Sequence, residues 1–299
     1  MPVSSDFPVF IGGAGRSGTT LLVDVFGVHS QLSPIYETDF VVQLIPELFG
    51  GHGRTQAQIE ARVRSFMDTW TAPLPIRPHN KRAYERYLHG PHHVLFTREH
   101  ALRSLDELFV DLRAGQGVPA FRRFMDRLFQ AHCAAADKPR WINKTPAYVH
   151  LLPALDQLYP GFRFLHCVRD GRDVACSVVT RPWGPNSHLG GGDWWARKVM
   201  DGLRWGMANP DRYLEVRYED LLREPTRTVS RVCGFLGVPD DAAAMVSAYS
   251  DGAARLDPTR CGGWRQRFTP QEQAAFEQRH RAMLQHLGYP LGEALRQAG

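Results

Sequence analysis

Three stretches of this 299-residue chain hold side chains of the kind and spacing that bind phosphate or move a proton. The first is Gly13-Ala14-Gly15-Arg16-Ser17-Gly18-Thr19-Thr20, where glycines expose backbone N–H groups, Arg16 adds a cation and Thr19 and Thr20 add hydroxyls. The second runs from Val168 to Arg181: Arg169 precedes Ser177 by eight residues, and Arg181 is expected one turn further along the same helical face. Two guanidiniums and a hydroxyl converging in this way suit a dianionic phosphate. The competing reading is a surface ion-pair cluster with Asp170 and Asp173. The third pairs a carboxylate, Glu37 in Tyr36-Glu37-Thr38, with an ammonium, Lys144 in Trp141-Ile142-Asn143-Lys144. A carboxylate can take a proton from a nucleophile, and a cation can steady developing negative charge.

The first stretch has more than one reading. It matches G-x-G-x-x-G, and Glu37 lies at the distance expected of a ribose-binding acid, so a nicotinamide or flavin oxidoreductase fits this loop alone. It also matches most of a phosphate-binding P-loop, with Thr19 where the P-loop lysine belongs. Without that lysine an ATPase or kinase is disfavoured. A nest of N–H groups at a helix N-terminus remains, suited to a 5′-phosphate that carries something other than two more phosphates.

The elements that must position these groups follow from hydrophobic pattern. Residues 8–12 form a short apolar run of the buried-strand type, then the glycine loop, then a helix through Leu21, Leu22, Val25 and Phe26. A second unit of this kind starts at residues 162–168, breaks at Arg169-Asp170-Gly171 and resumes as helix through Val174, Val178 and Val179. Residues 141–144 and 213–217 are further strands, and Thr145-Pro146 is expected to cap and open a helix. Such strand-to-helix units imply an α/β fold with a parallel sheet. Residues 41–140 look inserted and mostly helical, with Thr55 and Thr97 as N-caps of helices over 56–69 and 98–113 and another helix over 120–135. Thr269-Pro270 opens a last helix that Gly288 ends. A single domain over 1–299 is the expectation.

Composition narrows the function classes. With 43% hydrophobic and 22% charged residues the chain can bury a core, which excludes disorder as its main state. No signal-peptide pattern and no run of 18 apolar residues is present, so a soluble chain without a membrane anchor is expected. The five cysteines lack any C-x-x-C pair, which suggests neither disulfides nor a zinc knuckle and fits a cytoplasmic location. The net charge of +5 comes from 32 arginines and 4 lysines, scattered without a basic stripe, so nucleic-acid binding is not expected and a small anionic ligand is. His89, His92, His93 and His100 lack a metal-binding motif, and no metal is expected. Trp194, Trp195 and Trp205 fall at helical spacing and read as core.

Taken together, the two anion-binding stretches resemble those of the sulfotransferases that use 3′-phosphoadenosine-5′-phosphosulfate (PAPS). Arg16-Ser17-Gly18-Thr19-Thr20 is similar to that family's [K/R]-x-G-T-T loop, which binds the 5′-phosphosulfate, and Arg169 and Ser177 to its 3′-phosphate pair. Tyr218 in Val216-Arg217-Tyr218-Glu219-Asp220-Leu221 resembles the tyrosine near the adenine, and Phe235-Leu236-Gly237-Val238-Pro239 is also family-like. Arg260-Cys261-Gly262-Gly263-Trp264-Arg265 resembles the basic glycine loop over the 3′-phosphate, with Arg260 or Arg265 as its cation. The likeness covers roughly 8–40, 141–181 and 211–287. It implies a P-loop NTPase-like parallel sheet flanked by helices, and sulfuryl transfer from PAPS to a hydroxyl or amine, giving 3′,5′-ADP. Gly15, Arg16, Ser17, Gly18, Thr19, Thr20, Arg169, Ser177, Arg181, Tyr218, Arg260 and Arg265 would hold the donor. Cytosolic members carry a catalytic histidine two residues after a lysine, whereas Lys144-Thr145-Pro146 has proline there. The chain is closer in motif to the tyrosylprotein and carbohydrate branches, so Glu37 is the candidate base, with Arg16 and Lys144 around the transferred group. For Glu37 the bland alternative is a helix-entry residue paired with a nearby arginine. A dinucleotide oxidoreductase explains only the first loop, and a non-catalytic nucleotide-binding module would bind the donor without transfer. The acceptor stays open among a peptide tyrosine, a carbohydrate, a lipid and a small natural product.

Overall fold

The computed structural model describes residues 7–51, 53–72, 97–250 and 256–292. Five strands, β1 (Val9–Gly13), β2 (Leu32–Tyr36), β3 (Arg140–Lys144), β4 (Arg163–Val168) and β5 (Tyr213–Arg217), form a parallel sheet in the order β2-β3-β1-β4-β5. Every residue of β1 and β3 is buried, as short runs flanked by helices require. The register sets Tyr36 opposite Lys144 and Val168 opposite Arg217. The C-terminal end of each strand carries a candidate site residue or leads at once into one or into the glycine loop, the usual place for ligand-binding groups in an open α/β sheet.

The chain clusters into two units. The first comprises Met1–Phe10, Val23–Thr145 and Leu151–Arg163. It contains α2 (Asp39–Phe49), α3 (Gln56–Trp70), α4 (Arg98–Arg113), α5 (Gly117–Ala135) and α6 (Leu152–Leu158). Its core stacks aromatic edges on faces: Phe10 meets Trp141 at 5.3 Å and Phe162 at 5.4 Å, and Phe40 meets Trp70 at 4.9 Å. The expected caps are present: Thr55 forms a capping box with Gln58, and Thr97 accepts from the His100 N–H. The described part of the 41–140 stretch is therefore helical up to β3, and residues 73–96 of it lie outside the described residues.

The second unit comprises Ile11–Leu22, Pro146–His150 and Phe164–Gly299. Here α7 (Gly171–Val178), α8 (His188–Ala208) and α12 (Pro270–His286) pack around Val174, Val178, Trp195, Val199, Phe276 and Leu284. Beyond β5 follow α9 (Tyr218–Arg223), α10 (Pro225–Leu236) and α11 (Ala242–Ser250). The first helix, α1 (Thr19–Gly27), begins within this unit directly after the glycine loop.

Two local expectations are corrected, and one strand is additional to those expected. Strand β2 has Ser33 and Pro34 interrupting its apolar run; it sits at the sheet edge, where a missing N–H is tolerated. Thr145-Pro146 opens a 3₁₀ turn over Pro146–His150 rather than an α-helix, and the Thr145 hydroxyl accepts from the Thr38 N–H instead of capping. Arg181 is not on the helical face carrying Ser177. Helix α7 ends at Val178, the Thr180 hydroxyl bonds back to the Ser177 carbonyl, and Pro182 blocks continuation, so Arg181 lies exposed in the turn beyond.

Candidate functional site

In the second unit, the glycine loop leaves β1 through two positions that demand glycine. Gly13 has φ +147°, and a Cβ there would sit 2.3 Å from the Cys167 carbonyl oxygen. Gly18 has φ +90°, and a Cβ there would sit 2.4 Å from Cδ2 of Tyr218. Between them Arg16 takes φ +73°, an uncommon conformation for a residue with a side chain and one that clusters at functional sites. The loop closes with the Ser17 N–H donating to the Ala14 carbonyl, after which Thr19 and Thr20 start α1. The Ser17 hydroxyl is buried with no hydrogen-bond partner among the described residues.

Arg169, at the end of β4, reaches this loop. Its Nη1 donates to the Arg16 carbonyl at 3.2 Å and its Nη2 to the Arg260 carbonyl at 2.9 Å. The guanidinium lies 4.2 Å from the centroid of the Tyr218 ring, and its Nε is buried without a partner among the described residues. Burial pushes the Tyr218 phenol up, against the pull of the Arg169 and Arg260 guanidiniums. Ser177 does not bond Arg169; its hydroxyl accepts from Nε of Arg16 at 3.0 Å. Arg16, Arg169, Ser177, Tyr218 and the Arg260 backbone are thus one contiguous group.

The basic glycine segment is pinned by Asp173, which sequence reasoning left as a surface ion-pair residue. Its buried carboxylate accepts from the Gly262 N–H at 2.7 Å and the Trp264 N–H at 2.9 Å. Below it, the fully buried Arg172 bonds Asp170 and Glu277, each at 2.7 Å, and lies 4.0 Å from the Trp264 ring centroid. Asp170 and Asp173 are therefore committed to holding the fold of this site, not to a solvated cluster. The Arg265 guanidinium lies 4.7 Å from the Trp264 ring centroid, whereas Arg260 acts on Tyr218.

The first unit holds the carboxylate and the lysine. Glu37 follows β2 with φ +39°, and its N–H donates to the Lys144 carbonyl at 2.7 Å. The Lys144 ammonium, 1% exposed, is paired with the Glu37 carboxylate, so the partner of Glu37 is this lysine rather than an arginine. Behind them the Thr38 hydroxyl meets Asn143 Oδ1 at 3.0 Å and the Thr145 hydroxyl at 3.2 Å, a buried polar network fixing the turn. Asp39 stands beside Glu37; burial, then the Glu37 charge, raise its pKa to about 6, partly offset by Lys144.

Of the three tryptophans read as core, Trp195 and Trp205 are buried, but Trp194 is only partly so and covers the glycine loop, 3.2 Å from where a Gly15 Cβ would lie. His89, His92 and His93 lie outside the described residues, and His100 sits in the first turn of α4. Among the described residues no group of three or more His, Cys, Asp or Glu could hold a metal ion, and no helix is long and apolar enough to cross a membrane.

Comparisons with known proteins bear on the family and the fold. A family model described as "Sulfotransferase family" matches residues 8–242. The protein-tyrosine sulfotransferase of Drosophila melanogaster is 24% identical over 249 residues, covering 79% of this chain and 39% of that protein. The chain spans 48% and 64% of the lengths of two further relatives, from Caenorhabditis elegans and Caenorhabditis briggsae. Among solved structures, the sulfotransferase domain from the curacin biosynthetic pathway aligns over 96% of this chain and 99% of its own, at 20% identity and a TM-score of 0.59. The sulfotransferase domain of the Synechococcus PCC 7002 olefin synthase aligns over 97% and 98%, at 21% identity and a TM-score of 0.55. These two likenesses establish the fold.

Proposed function

Because the chain belongs to the sulfotransferase family, we propose that it moves a sulfuryl group from PAPS to an acceptor hydroxyl or amine and releases 3′,5′-ADP. The observation that carries this reading is Arg169. It is fixed to the glycine loop and to the Arg260 segment through their carbonyls, yet keeps a buried Nε with no partner. Buried polar atoms are rarely left unsatisfied, and among the described residues Arg169 Nε and the Ser17 hydroxyl have no partner, a lack that the oxygens of a bound anion would supply. The donor set is cationic and hydroxylic, which fits phosphate and sulfate oxygens.

In this reading Ser17, Thr19, Thr20 and the N–H groups of the loop hold the 5′ end of the donor, and Arg169, Ser177 and the Arg260 segment hold its 3′-phosphate. Tyr218, stacked between Gly18 and Arg169, fixes the approach of the two groups. The donor supplies an SO₃ group on a phosphate oxygen. A bond forms between the acceptor atom and sulfur, the sulfur to phosphate-oxygen bond breaks with its electron pair left on the phosphate, and the acceptor proton goes to Glu37. The left-handed turn at Glu37 and the Thr38-Asn143-Thr145 network aim the carboxylate, and the paired Lys144 ammonium holds it in place. The family resemblance gives Lys144 and Arg16, both cations, the role of offsetting the charge that builds on the transferred oxygens. No metal is part of this scheme, and a cytoplasmic location belongs to the proposal. A dinucleotide oxidoreductase would leave Arg169 and the Arg260 segment without a role. Incubation with ³⁵S-labelled PAPS and a panel of phenol, sugar and peptide acceptors tests the reading: label should move to an acceptor with stoichiometric 3′,5′-ADP, and donor binding without transfer would make the chain a binding module.

A further inference from the structure

We propose that Asp39 sets the charge preference for the acceptor, favouring molecules with a cationic group close to the reacting hydroxyl or amine and turning away anionic ones. This rests on the reading of Glu37 as the base. Asp39 is the first residue of α2, and its N–H donates to the Glu37 carbonyl at 2.8 Å, so both carboxylates leave one tight turn. That turn exists because Glu37 adopts φ +39°.

The local charges do not cancel. Lys144 is committed to Glu37, while the neighbouring Thr38, Asn143 and Thr145 are neutral and bonded to one another. Asp39 as a residue is exposed, while its carboxyl has enough protein around it for burial to raise its pKa. Two carboxylates therefore face one ammonium. Burial first, and the Glu37 charge second, raise the Asp39 pKa to about 6, with Lys144 opposing the shift, so Asp39 is ionised at pH 8. An ammonium on an incoming acceptor gains attraction from Asp39, which among the described residues is offset only in part by Lys144, itself paired with Glu37, and a carboxylate at the same place is repelled. Across several ångströms of partly solvated space a unit charge changes binding by about 5- to 10-fold, and the difference between opposite charges is larger.

Two phenols of similar size, tyramine and 3-(4-hydroxyphenyl)propionate, serve as probes. Sulfation from ³⁵S-labelled PAPS is measured at pH 8 as kcat/KM, and binding of each phenol to the 3′,5′-ADP complex by calorimetry, for the wild type, Asp39→Asn and Asp39→Lys. The wild type should favour tyramine by about 10-fold or more, Asp39→Asn should bring the ratio near unity, and Asp39→Lys should reverse it. All three should bind 3′,5′-ADP alike. A ratio that the Asp39 variants leave unmoved overturns the inference. So does a protein that binds 3′,5′-ADP but neither binds nor sulfates either phenol, which leaves the donor reading standing. Absence of 3′,5′-ADP binding at millimolar concentration overturns the donor reading itself.

Discussion

Replacing Asp173 with asparagine perturbs the contact that holds the basic glycine segment in place, together with the weaker 3.7 Å ion pair from Asp173 to Arg169. The carboxylate spans two backbone N–H groups, at 2.7 Å to Gly262 and 2.9 Å to Trp264, in a buried setting. Asparagine keeps the shape and one acceptor oxygen but loses the charge and the second bond, so docking of the segment should weaken by about 1.5 to 3 kcal/mol, the contribution of a hydrogen bond to a charged group. That corresponds to roughly 10- to 150-fold in the docked fraction. Arg260 should then be lost to a 3′-phosphate, while the Gly13–Gly18 loop stays intact. Calorimetry should show 3′,5′-ADP weakened by up to that factor and 5′-AMP changed by less than about twofold, and trypsin should cut faster at Arg260 and Arg265. If the variant binds 3′,5′-ADP as the wild type does while its segment is cleaved faster, the segment has no part in holding the nucleotide. If both nucleotides weaken equally, the effect is general unfolding.

Other substitutions separate the remaining roles. Arg169→Ala should weaken 3′,5′-ADP by about 2 to 4 kcal/mol and 5′-AMP little; equal losses in calorimetry would contradict the 3′-phosphate assignment. Glu37→Gln should lower turnover by roughly 100-fold or more with donor affinity nearly unchanged, so a fully active Gln variant removes Glu37 as base. His166, fully buried and bonded to the Tyr213 hydroxyl at 2.6 Å, has its pKa lowered by burial to about 3. Below the ordinary histidine value of 6.5 the unfolded chain takes up a proton that the folded chain refuses, so this residue's stabilising contribution falls by up to about 1.4 kcal/mol per pH unit between 6.5 and 3. Urea unfolding from pH 6.5 to 4 should show that slope lessened in His166→Gln; identical slopes refute the assignment.

The parts of this protein that were readable in sequence are those set by local chemistry. Gly13 and Gly18 announce positive φ, Thr55, Thr97 and Thr269 announce helix starts, and Arg169 follows an apolar run that must be a strand. What escaped depends on contacts between distant residues. Nothing near Asp173 shows that it will serve Gly262 and Trp264, 89 and 91 positions away. Arg172 reads as another surface arginine until Glu277 and Trp264 close over it. The edge strand β2 was hidden by Pro34, and Arg181 was misplaced because a strong helix start at Asp170 says little about how soon the helix ends. A positive φ at Glu37, beside a buried lysine, has no sequence signature at all. Yet Arg16 and Glu37 are two of the three non-glycine residues with positive φ among those described, so backbone strain points to the same residues that charge and spacing did.

Parallel calorimetric titrations of the wild-type protein with 3′,5′-ADP, 5′-AMP and 3′-AMP bear on the donor site most directly. If one site holds a phosphate at each end of the ribose, 3′,5′-ADP should bind about 100-fold tighter than either monophosphate, each phosphate contributing its own charge-assisted bonds. Three equal affinities would mean that Arg169 and the glycine loop do not act on one ligand.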